Sequence, residues 1–530
     1  MKKVNFITSK EAANLIPDGA SIGTCGFMLT GATEELFIAI ENRFLETNHP
    51  RDLSLLWASG IGDGGDVRGL NHLCHEGLIK KTIGGHYGLI KKLGPLVAKN
   101  KIVAYNFPQG VLTQMFREMA AKKPGVLTHV GLGTFVDPDF EGGKINDITT
   151  EDLVEKIEVN GENYLFYKSQ KINFALIRGT EADEDGNIGF TKEALTLESL
   201  STAMAAKNNG GKVIVQVERR VKNGTLNTKD VVIPGILVDY VVEVEDLKNH
   251  MQTAGTQFNE GFISNRRIYE EKHNDLPLTD RKVIARRAAM QMTNEMTVLN
   301  YGIGVPEGVA EVLKEEGIKE NFIATVEPGL IGGIPLGGLN FGSALSPHAI
   351  LDEPYQFDFY DGGGIDITFL GMAQCDESAN INVSKFGPKV AGCGGFIDIS
   401  QNAKEVVFCG TFTASGLKTK VEKGMLKIIE EGKSKKFINK VEQITYNGLF
   451  ESARKSGKKV LIVTERAVFE IQEKGLILTE IAPGIDLEQD IIAQMDFKPI
   501  ISDRLKLMDE RIFKEGLMGL SLKASELSYS

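Results

Sequence analysis

The segment TVEPGLIGG, residues 325–333, places the single carboxylate of Glu327 between an apolar run and a glycine-rich turn. The preceding residues NFIA are typical of the start of a buried β-strand, and ligands of open α/β sheets bind beyond the carboxyl ends of strands. A buried charge is costly unless it is paired or used. Glu327 is therefore either a strand-end residue that has reached the surface or a catalytic carboxylate, and from the pattern alone the first is commoner.

Two further segments contain groups that could donate hydrogen bonds to a developing negative charge. In AGCGGFIDIS, the backbone N–H groups of Gly392, Gly394 and Gly395 could face an oxyanion, because glycine lets a ligand approach closely. In YNFPQGVLTQ, a proline and a glycine bracket Gln109, whose side-chain amide donates without titrating. Taken singly, each segment is more often an ordinary turn.

The segment NYGIGVPEG, residues 300–308, leads from a predicted strand into a predicted helix and could cradle a phosphate at the helix N-terminus. It lacks the third glycine of the G-x-G-x-x-G pattern, because Glu307 stands there. A dinucleotide site is therefore disfavoured.

Metal binding is a weaker interpretation than turn formation. Two groups contain suitable residue types: Asp358, Asp361 and Asp366 around three glycines, and His72, Cys74 and His75. No histidine lies near the first group in the sequence, and no further ligand at zinc-like spacing accompanies the second. Cys393, within the glycine turn, has no evident histidine partner and is expected to be a small buried residue. We expect no metal.

Composition restricts the class of protein. The chain has 530 residues, of which 42% are hydrophobic and 25% charged, with a net charge of −11. A net negative charge is not typical of nucleic-acid-binding proteins, which usually carry a basic surface. Five scattered cysteines without a CxxC pair favour a reducing compartment, and no apolar run is long enough to cross a membrane. We expect a cytoplasmic protein.

Two stretches of the chain repeat one pattern at a constant offset. Residues 174–217 and 367–410 each contain an apolar strand, an acidic turn and a second strand, all displaced by 193 positions. Apolar strands alternate with helical patterns, which predicts two related open α/β domains with mostly parallel sheets flanked by helices. We place these domains at residues 1–246 and 281–530, with a polar linker at 247–280. Upstream the match is looser: LSLLWASGIGDGG parallels FIATVEPGLIGG, and on that alignment Ala58 stands where the second copy has Glu327.

These segments resemble the family I CoA-transferases over nearly the whole chain. The likeness rests on TVEPGLIGG, NYGIGVP, PQGVLTQ, GCGGFIDIS and TERAVFEI. The chain is most similar to the fused bacterial short-chain acyl-CoA:acetate/propionate CoA-transferases, and more distantly to succinyl-CoA:3-ketoacid CoA-transferase. The resemblance implies transfer of CoA between a short-chain acyl-CoA and a free carboxylate, in a homodimer or homotetramer. It implies coenzyme A as a substrate, no resident cofactor, and neither a nucleic-acid nor a membrane partner.

The resemblance also assigns roles to residues. Glu327 matches the nucleophile that becomes a glutamyl-CoA thioester, while Gln109 and the backbone of Gly395 match the donors to the oxyanion. The residues implied to bind CoA are Gly302, Ile303, Gly304, Val305, Gly392 and Gly394. One departure is that many relatives follow the catalytic glutamate with Asn-Gly, whereas this chain has Pro328, which lacks an N–H donor.

Three other functions stay open at this point. An acyl-CoA hydrolase on the same scaffold would let water reach the Glu327 adduct. A non-catalytic metabolite-binding protein is disfavoured because Glu327, Gln109 and the glycine turn are all retained. A dinucleotide-dependent oxidoreductase is disfavoured because its glycine fingerprint is missing.

Overall fold

A computed structural model describes residues 4–264, 266, 276–318, 322–455 and 457–522. These residues form two compact units, and each has the predicted α/β architecture of a mostly parallel sheet with helices. The first unit comprises residues 1–268, 326–358 and 384–398, and the second comprises residues 269–325, 359–383 and 399–530.

The first unit is built on an eight-stranded sheet in which every neighbouring pair is parallel. Its strands are β1 (Asn5–Phe6), β2 (Ser21–Thr24), β3 (Leu53–Trp57), β4 (Ile79–Gly84), β5 (Val103–Asn106), β6 (Phe174–Arg178), β7 (Lys212–Val217) and β8 (Tyr240–Glu243). Their order across the sheet is β1-β8-β7-β6-β2-β3-β4-β5. The central strands are buried apolar runs, as expected where helices cover both faces.

The sheet of the second unit is parallel at one side and antiparallel at the other. Its strands are β9 (Val298–Tyr301), β10 (Ile323–Val326), β11 (Ile367–Gly371), β12 (Glu405–Cys409), β13 (Lys459–Val463), β14 (Ala467–Gln472), β15 (Gly475–Ile481) and β16 (Ile500–Leu507). The order β10-β9-β11-β12-β13 is parallel throughout. Strands β14 and β15 then form an antiparallel hairpin, and β16 runs parallel to β15.

Strand order and local hydrogen bonds support the predicted duplication. The order β3-β2-β6-β7-β8 in the first unit matches β10-β9-β11-β12-β13 in the second. Both acidic turns have the same geometry: Asp183 Oδ1 accepts from Asn187 N at 2.9 Å, and Asp376 Oδ1 accepts from Asn380 N at 3.0 Å. The offset of 193 residues between the repeats therefore relates equivalent strands and turns.

Ten helices accompany the sheets within the described ranges. They are α1 (Ser9–Asn14), α2 (Glu34–Thr47), α3 (Leu93–Ala98), α4 (Gln109–Ala120), α5 (Ser199–Asn208), α6 (Asp280–Ala289), α7 (Glu307–Glu315), α8 (Glu353–Asp361), α9 (Phe396–Asn402) and α10 (Gly448–Arg454). Helix α1 packs on α2, α4 packs on α5, and α6 packs on α7. In the part of the chain that the structure describes, no helix is long and apolar enough to cross a membrane.

Shorter strands accompany the sixteen strands named above. They form the groups Gly125–Thr128, Val154–Val159 and Glu162–Lys168; Glu181–Ala182, Ile188–Gly189, Arg219–Arg220 and Val231–Ile233; Leu330–Ile331 and Ala349–Ile350; Ile334–Pro335 and Ala344–Leu345; Gln374–Cys375, Asn380–Asn382 and Tyr446–Asn447; Lys385–Phe386 and Lys389–Val390; Thr413–Ala414 and Ser434–Lys435; Lys418–Glu422 and Met425–Glu430. None of them carries the candidate site residues.

The compact units do not follow the predicted division of the chain at residues 247–280. Two segments of the second half, residues 326–358 and 384–398, belong to the first unit, because their hydrogen bonds and packing are made there. Part of the predicted linker also has structure, with short 3-10 turns at Leu247–His250 and Glu260–Phe262. The division at 247–280 stays a prediction about the duplicated sequence repeats.

Candidate active site

Glu327 follows β10 directly and is held in a tight turn. The backbone N–H of Gly329 donates to the carbonyl of Val326 at 3.2 Å, which closes the turn around the glutamate. Gly329 has φ +118°, and a Cβ built there would lie 2.1 Å from the carbonyl oxygen of Leu351. Glycine is therefore required two residues after the glutamate, because any side chain would push the turn away from residue 351.

The carboxyl group of Glu327 is only partly solvated. Its Oε2 atom is buried and accepts no hydrogen bond from any residue that the structure describes. Burial raises the pKa of Glu327 to about 7, from an ordinary value of 4.5. Near neutral pH the side chain is thus divided between acid and carboxylate, and the carboxylate is poorly stabilised. A weakly solvated carboxylate is a better nucleophile than one hydrogen-bonded to water.

The glycine turn predicted to bind an oxyanion is fastened to the carboxyl ends of β4 and β5. The N–H of Gly394 donates to the carbonyl of Gly85 at 2.8 Å. The side chain of Asn106 accepts from the N–H of Cys393 at 2.9 Å and donates to the carbonyl of Gly85 at 2.6 Å. Gly392 and Gly394 both have positive φ, +81° and +52°. Segments 84–85, 106 and 392–394 are therefore held as one rigid loop cluster.

Gly395 lies directly against the candidate nucleophile. A Cβ built on Gly395 would be 3.3 Å from Cγ of Glu327, so the backbone of Gly395 borders the carboxyl group. The N–H of Gly395 donates to no other described residue, and it stands just before helix α9. A backbone N–H that has no acceptor among the described residues and lies beside the Glu327 carboxyl is suited to bind an oxyanion.

Gln109 is the first residue of α4, and its backbone N–H donates to the carbonyl of Gly394 at 2.9 Å. This bond ties Gln109 to the same turn that holds Gly395. The side chain is buried, and its Nε2 donates to Oε1 of Glu353 at 2.7 Å. Because an amide nitrogen carries two hydrogens, the second is left for another acceptor. The structure therefore brings Glu327, Gln109 and Gly395 together around the turn at 392–395.

Sequence reasoning missed a pair of buried carboxyl groups behind Gln109. Glu353 begins α8, and its Oε1 accepts from the hydroxyl of Ser59 at 3.0 Å as well as from Gln109. Glu198, just before α5, is a second buried acid that interacts with Glu353. Burial, followed by the charge of Glu198, raises the pKa of Glu353, and burial raises the pKa of Glu198 to about 7. No motif in either segment signals this pair; only the folded chain reveals it.

His86 and Trp57 lie beneath the glycine turn and were also missed. The ring of His86 is close to Gly394, since a Cβ built there would be 3.7 Å from its Cδ2. Burial lowers the pKa of His86 to about 4, so the ring is neutral. The indole Nε1 of Trp57 donates to the carbonyl of His86 at 3.4 Å. The sequence feature that could have indicated His86 is its position directly after Gly84 and Gly85, at the carboxyl end of β4.

The residues implied to line the CoA site, Gly302 to Val305, form the loop after β9 in the second unit. Gly302 N donates to the carbonyl of Phe369 at 2.8 Å, which extends the sheet by one residue. Ile303 is 59% exposed, and no atom of the described residues lies within 4 Å of a Cβ built on Gly304. The loop is therefore open to solvent, and its role in CoA binding stays a prediction.

The alternative metal ligands have other partners. Asp358 forms a bidentate pair with Arg117, at 2.6 and 2.9 Å, and Asp366 accepts from the backbone N–H of Val298 at 2.9 Å. His72 hydrogen-bonds Glu34 and Glu41. These side chains are engaged in pairs that hold elements of the fold together. The expectation that the protein needs no metal stays a prediction.

Cys393 is buried, as expected. Burial raises the pKa of its thiol, with a further contribution from the charge of Asp398. A thiol that resists ionisation is a poor nucleophile.

Known proteins match this chain closely. The family model of Coenzyme A transferase matches residues 6–244. The caffeate CoA-transferase of Acetobacterium woodii is 48% identical over 520 residues, 97% of this chain and 98% of that protein. The acetate CoA-transferase YdiF of Escherichia coli O157:H7 is 44% identical over 523 residues, 98% of this chain and 97% of that protein.

A solved structure agrees with these sequence relatives. The crystal structure of the acyl-CoA transferase YdiF from E. coli O157:H7, a thioester complex with CoA, has a TM-score of 0.91 and 43% identity. It covers 99% of this chain and 98% of that chain. Because the likeness runs through both compact units at this level of identity, the chain belongs to the coenzyme A transferase family.

Proposed function

We propose that this CoA-transferase moves CoA from a short-chain acyl-CoA to a free carboxylate such as acetate, with Glu327 as the covalent carrier. One observation carries the proposal. The Glu327 carboxyl, with one oxygen buried and without a donor among the described residues, borders a glycine whose N–H has no acceptor there. The name of the E. coli relative, acetate CoA-transferase, and the thioester in the solved complex of YdiF with CoA support the choice of substrate class and intermediate.

In the first half-reaction the ionised Glu327 attacks the thioester carbonyl of the acyl-CoA. A C–O bond forms, the C–S bond breaks, and CoA leaves as a thiolate, so that a mixed acyl-glutamyl anhydride remains. The thiolate then attacks the Glu327 carbonyl carbon and releases the acyl group as a free carboxylate. The enzyme now carries a glutamyl-CoA thioester, and the activation of the original thioester is conserved.

The second half-reaction reverses these steps with a new acid. The acceptor carboxylate attacks the Glu327 thioester, CoA leaves as a thiolate, and the thiolate attacks the acceptor's own carbonyl in the new anhydride. The products are a new acyl-CoA and the free Glu327 carboxylate. Each half ends before the next substrate enters, which gives ping-pong kinetics.

Every attack creates a tetrahedral oxyanion that requires donors. The proposed donors are the N–H of Gly395 on the turn and the second Nε2–H of Gln109, whose backbone N–H is bonded to that turn. Removing one donor of this kind typically costs about 3–4 kcal/mol of transition-state stabilisation. The neutral His86 ring places no positive charge beside the turn. Gly392 and Gly394 shape the turn, and Gly302 to Val305 are the proposed contact with CoA.

Trapping the intermediate tests the proposal. Incubation with acetyl-CoA, digestion and mass spectrometry should find CoA on the peptide that contains Glu327, and borohydride should reduce this thioester. Glu327→Gln should give no adduct and no transfer while remaining folded. An adduct on another residue would refute the assignment of the nucleophile. Net release of free CoA without acetate-dependent exchange would favour the hydrolase instead.

We also propose that the enzyme works in the cytoplasm as a homodimer or homotetramer, without a resident cofactor. Sedimentation analysis of the purified chain tests the assembly: a monomer at working concentration would contradict it.

A further inference from the structure

The amide of Gln109 has two orientations that differ greatly in function. If Nε2 points inward to Glu353, its second hydrogen is left for an oxyanion. If the amide is rotated by half a turn, the acceptor Oε1 takes the place of Nε2 at Glu353 and the donor changes sides. The two orientations fill the same volume, so packing alone cannot choose between them, and the hydrogen-bond network must.

The hydrogen-bond acceptor that fixes the orientation of the Gln109 amide is Oε1 of Glu353. It receives a hydrogen bond from Nε2 of Gln109 at 2.7 Å and another from the hydroxyl of Ser59 at 3.0 Å. An oxygen that already accepts from a hydroxyl presents a second lone pair to its other neighbour. Gln109 must therefore turn its nitrogen toward Glu353, because its own oxygen would meet a second acceptor.

Oε1 of Glu353 remains an acceptor only if the proton of the acid pair lies elsewhere, on Oε2 or on Glu198. Oε2 of Glu353 is buried, and so are both carboxyl oxygens of Glu198. Burial raises the pKa of both acids, and the neighbouring Glu198 raises the pKa of Glu353 further, so the pair carries a proton near neutral pH. Oε1 of Glu353 already accepts hydrogen bonds from Gln109 and Ser59, so that proton lies on Oε2 or on Glu198 and leaves Oε1 free of hydrogen.

We propose that Glu353, held by Glu198 and Ser59, is a positioning residue that fixes the amide orientation of Gln109 and so presents its second N–H to the oxyanion. Glu353 itself touches no reacting atom in this scheme. The inference rests on the proposed function, because it assigns a purpose to Gln109 in that reaction.

The test compares three substitutions of residue 353. Glu353→Met keeps the length of the side chain but removes the acceptor. Glu353→Gln keeps an acceptor oxygen for Gln109 and Ser59, and its NH2 group donates to Glu198 in place of the proton of the acid pair. Glu353→Asp keeps the acid but withdraws it from Gln109 by one methylene. Each is made in the wild-type and Gln109→Ala backgrounds, and kcat and KM for acetyl-CoA are measured from the formation of propionyl-CoA at saturating propionate.

We expect Glu353→Met to lower kcat by up to about 100-fold with little change in KM, because the loss is confined to the transition state. Glu353→Gln should restore most of that rate. In the Gln109→Ala background, Glu353→Met should cause no further loss, since the residue whose orientation it sets is absent. Should Glu353→Met fail to fold, Glu353→Asp takes its place with the same expectations.

Three results would overturn the inference: a folded Glu353→Met enzyme with wild-type kcat, losses that multiply in the double variant, or a Glu353→Gln enzyme as slow as Glu353→Met. The Glu327 adduct separates this failure from failure of the proposed function. If wild-type protein forms the adduct on Glu327 but residue 353 behaves in one of these ways, only the positioning role is wrong. If the wild type forms no adduct, the proposed function fails first.

Discussion

Replacing Glu327 with glutamine should abolish transfer and also change how stability depends on pH. The carboxyl has an ordinary pKa of 4.5, which burial raises to about 7 in the folded protein. A raised carboxyl pKa contributes stability that is fully present below pH 4.5 and is lost as pH rises through about 7. At about 1.4 kcal/mol for each pH unit, ionising Glu327 costs the fold at most about 3.5 kcal/mol.

Glutamine cannot ionise, so the variant avoids this cost. Relative to the wild type, Glu327→Gln should gain thermal stability progressively between pH 4.5 and about 7 and keep a constant advantage above that range. The measurement is Tm by calorimetry at about pH 5 and about pH 8 for both proteins. The change in Tm difference between the two pH values is informative, because any fixed cost of burying the amide cancels.

Glu311→Gln is the matched control, since Glu311 is an exposed glutamate on α7. It should leave the Tm difference constant across this pH range. If Glu327→Gln behaves like this control, the carboxyl is not held in a poorly solvated environment, and the explanation for its reactivity is wrong. If Glu327→Gln instead lost stability relative to the wild type as pH rose, the Tm difference would have the opposite sign and the reasoning would be refuted more directly.

Three further predictions follow from the same geometry. The value of kcat/KM for acetyl-CoA should fall about tenfold per pH unit below about pH 7, since only ionised Glu327 attacks; a flat profile down to pH 5 would contradict this. Gln109→Ala should lower kcat by about 10²–10³-fold with little change in KM, as steady-state kinetics would show, and an unchanged kcat would remove Gln109 from the oxyanion site. Gly329→Ala should lower Tm, because its Cβ would lie 2.1 Å from the carbonyl of Leu351 at φ +118°; a variant as stable as wild type would show that the turn relaxes freely.

Much of the fold followed from the sequence because duplication leaves a measurable offset. Two copies of a strand–turn–strand unit at 193 residues predicted two related sheets, and five strands follow one order in both. The division into compact units was harder to predict from the sequence, because segments 326–358 and 384–398 fold with the first half. Such exchange depends on contacts between residues far apart in the chain, which local patterns do not encode.

The candidate site was also only partly predictable from the sequence. Glu327, Gln109 and Gly395 stand in short glycine-rich or proline-containing segments, so the sequence marked each as a candidate. Glu198 and Glu353 lie in segments of ordinary polarity, and only the fold shows that both are buried and paired. A buried acid is recognisable by its neighbours in space, and those neighbours are 155 positions away in the chain (353 − 198 = 155).

The indole beneath the glycine turn gives this protein a built-in optical reporter. Trp57 is the only tryptophan in the chain, so all indole emission comes from one place. It is fully buried, it bonds the carbonyl of His86, and a Cβ on Gly84 would lie 2.2 Å from its ring. Because the proposed reaction brings CoA to the neighbouring turn, the fluorescence of Trp57 should change when CoA binds there or leaves, and each proposed half-reaction could be followed in real time without an added dye.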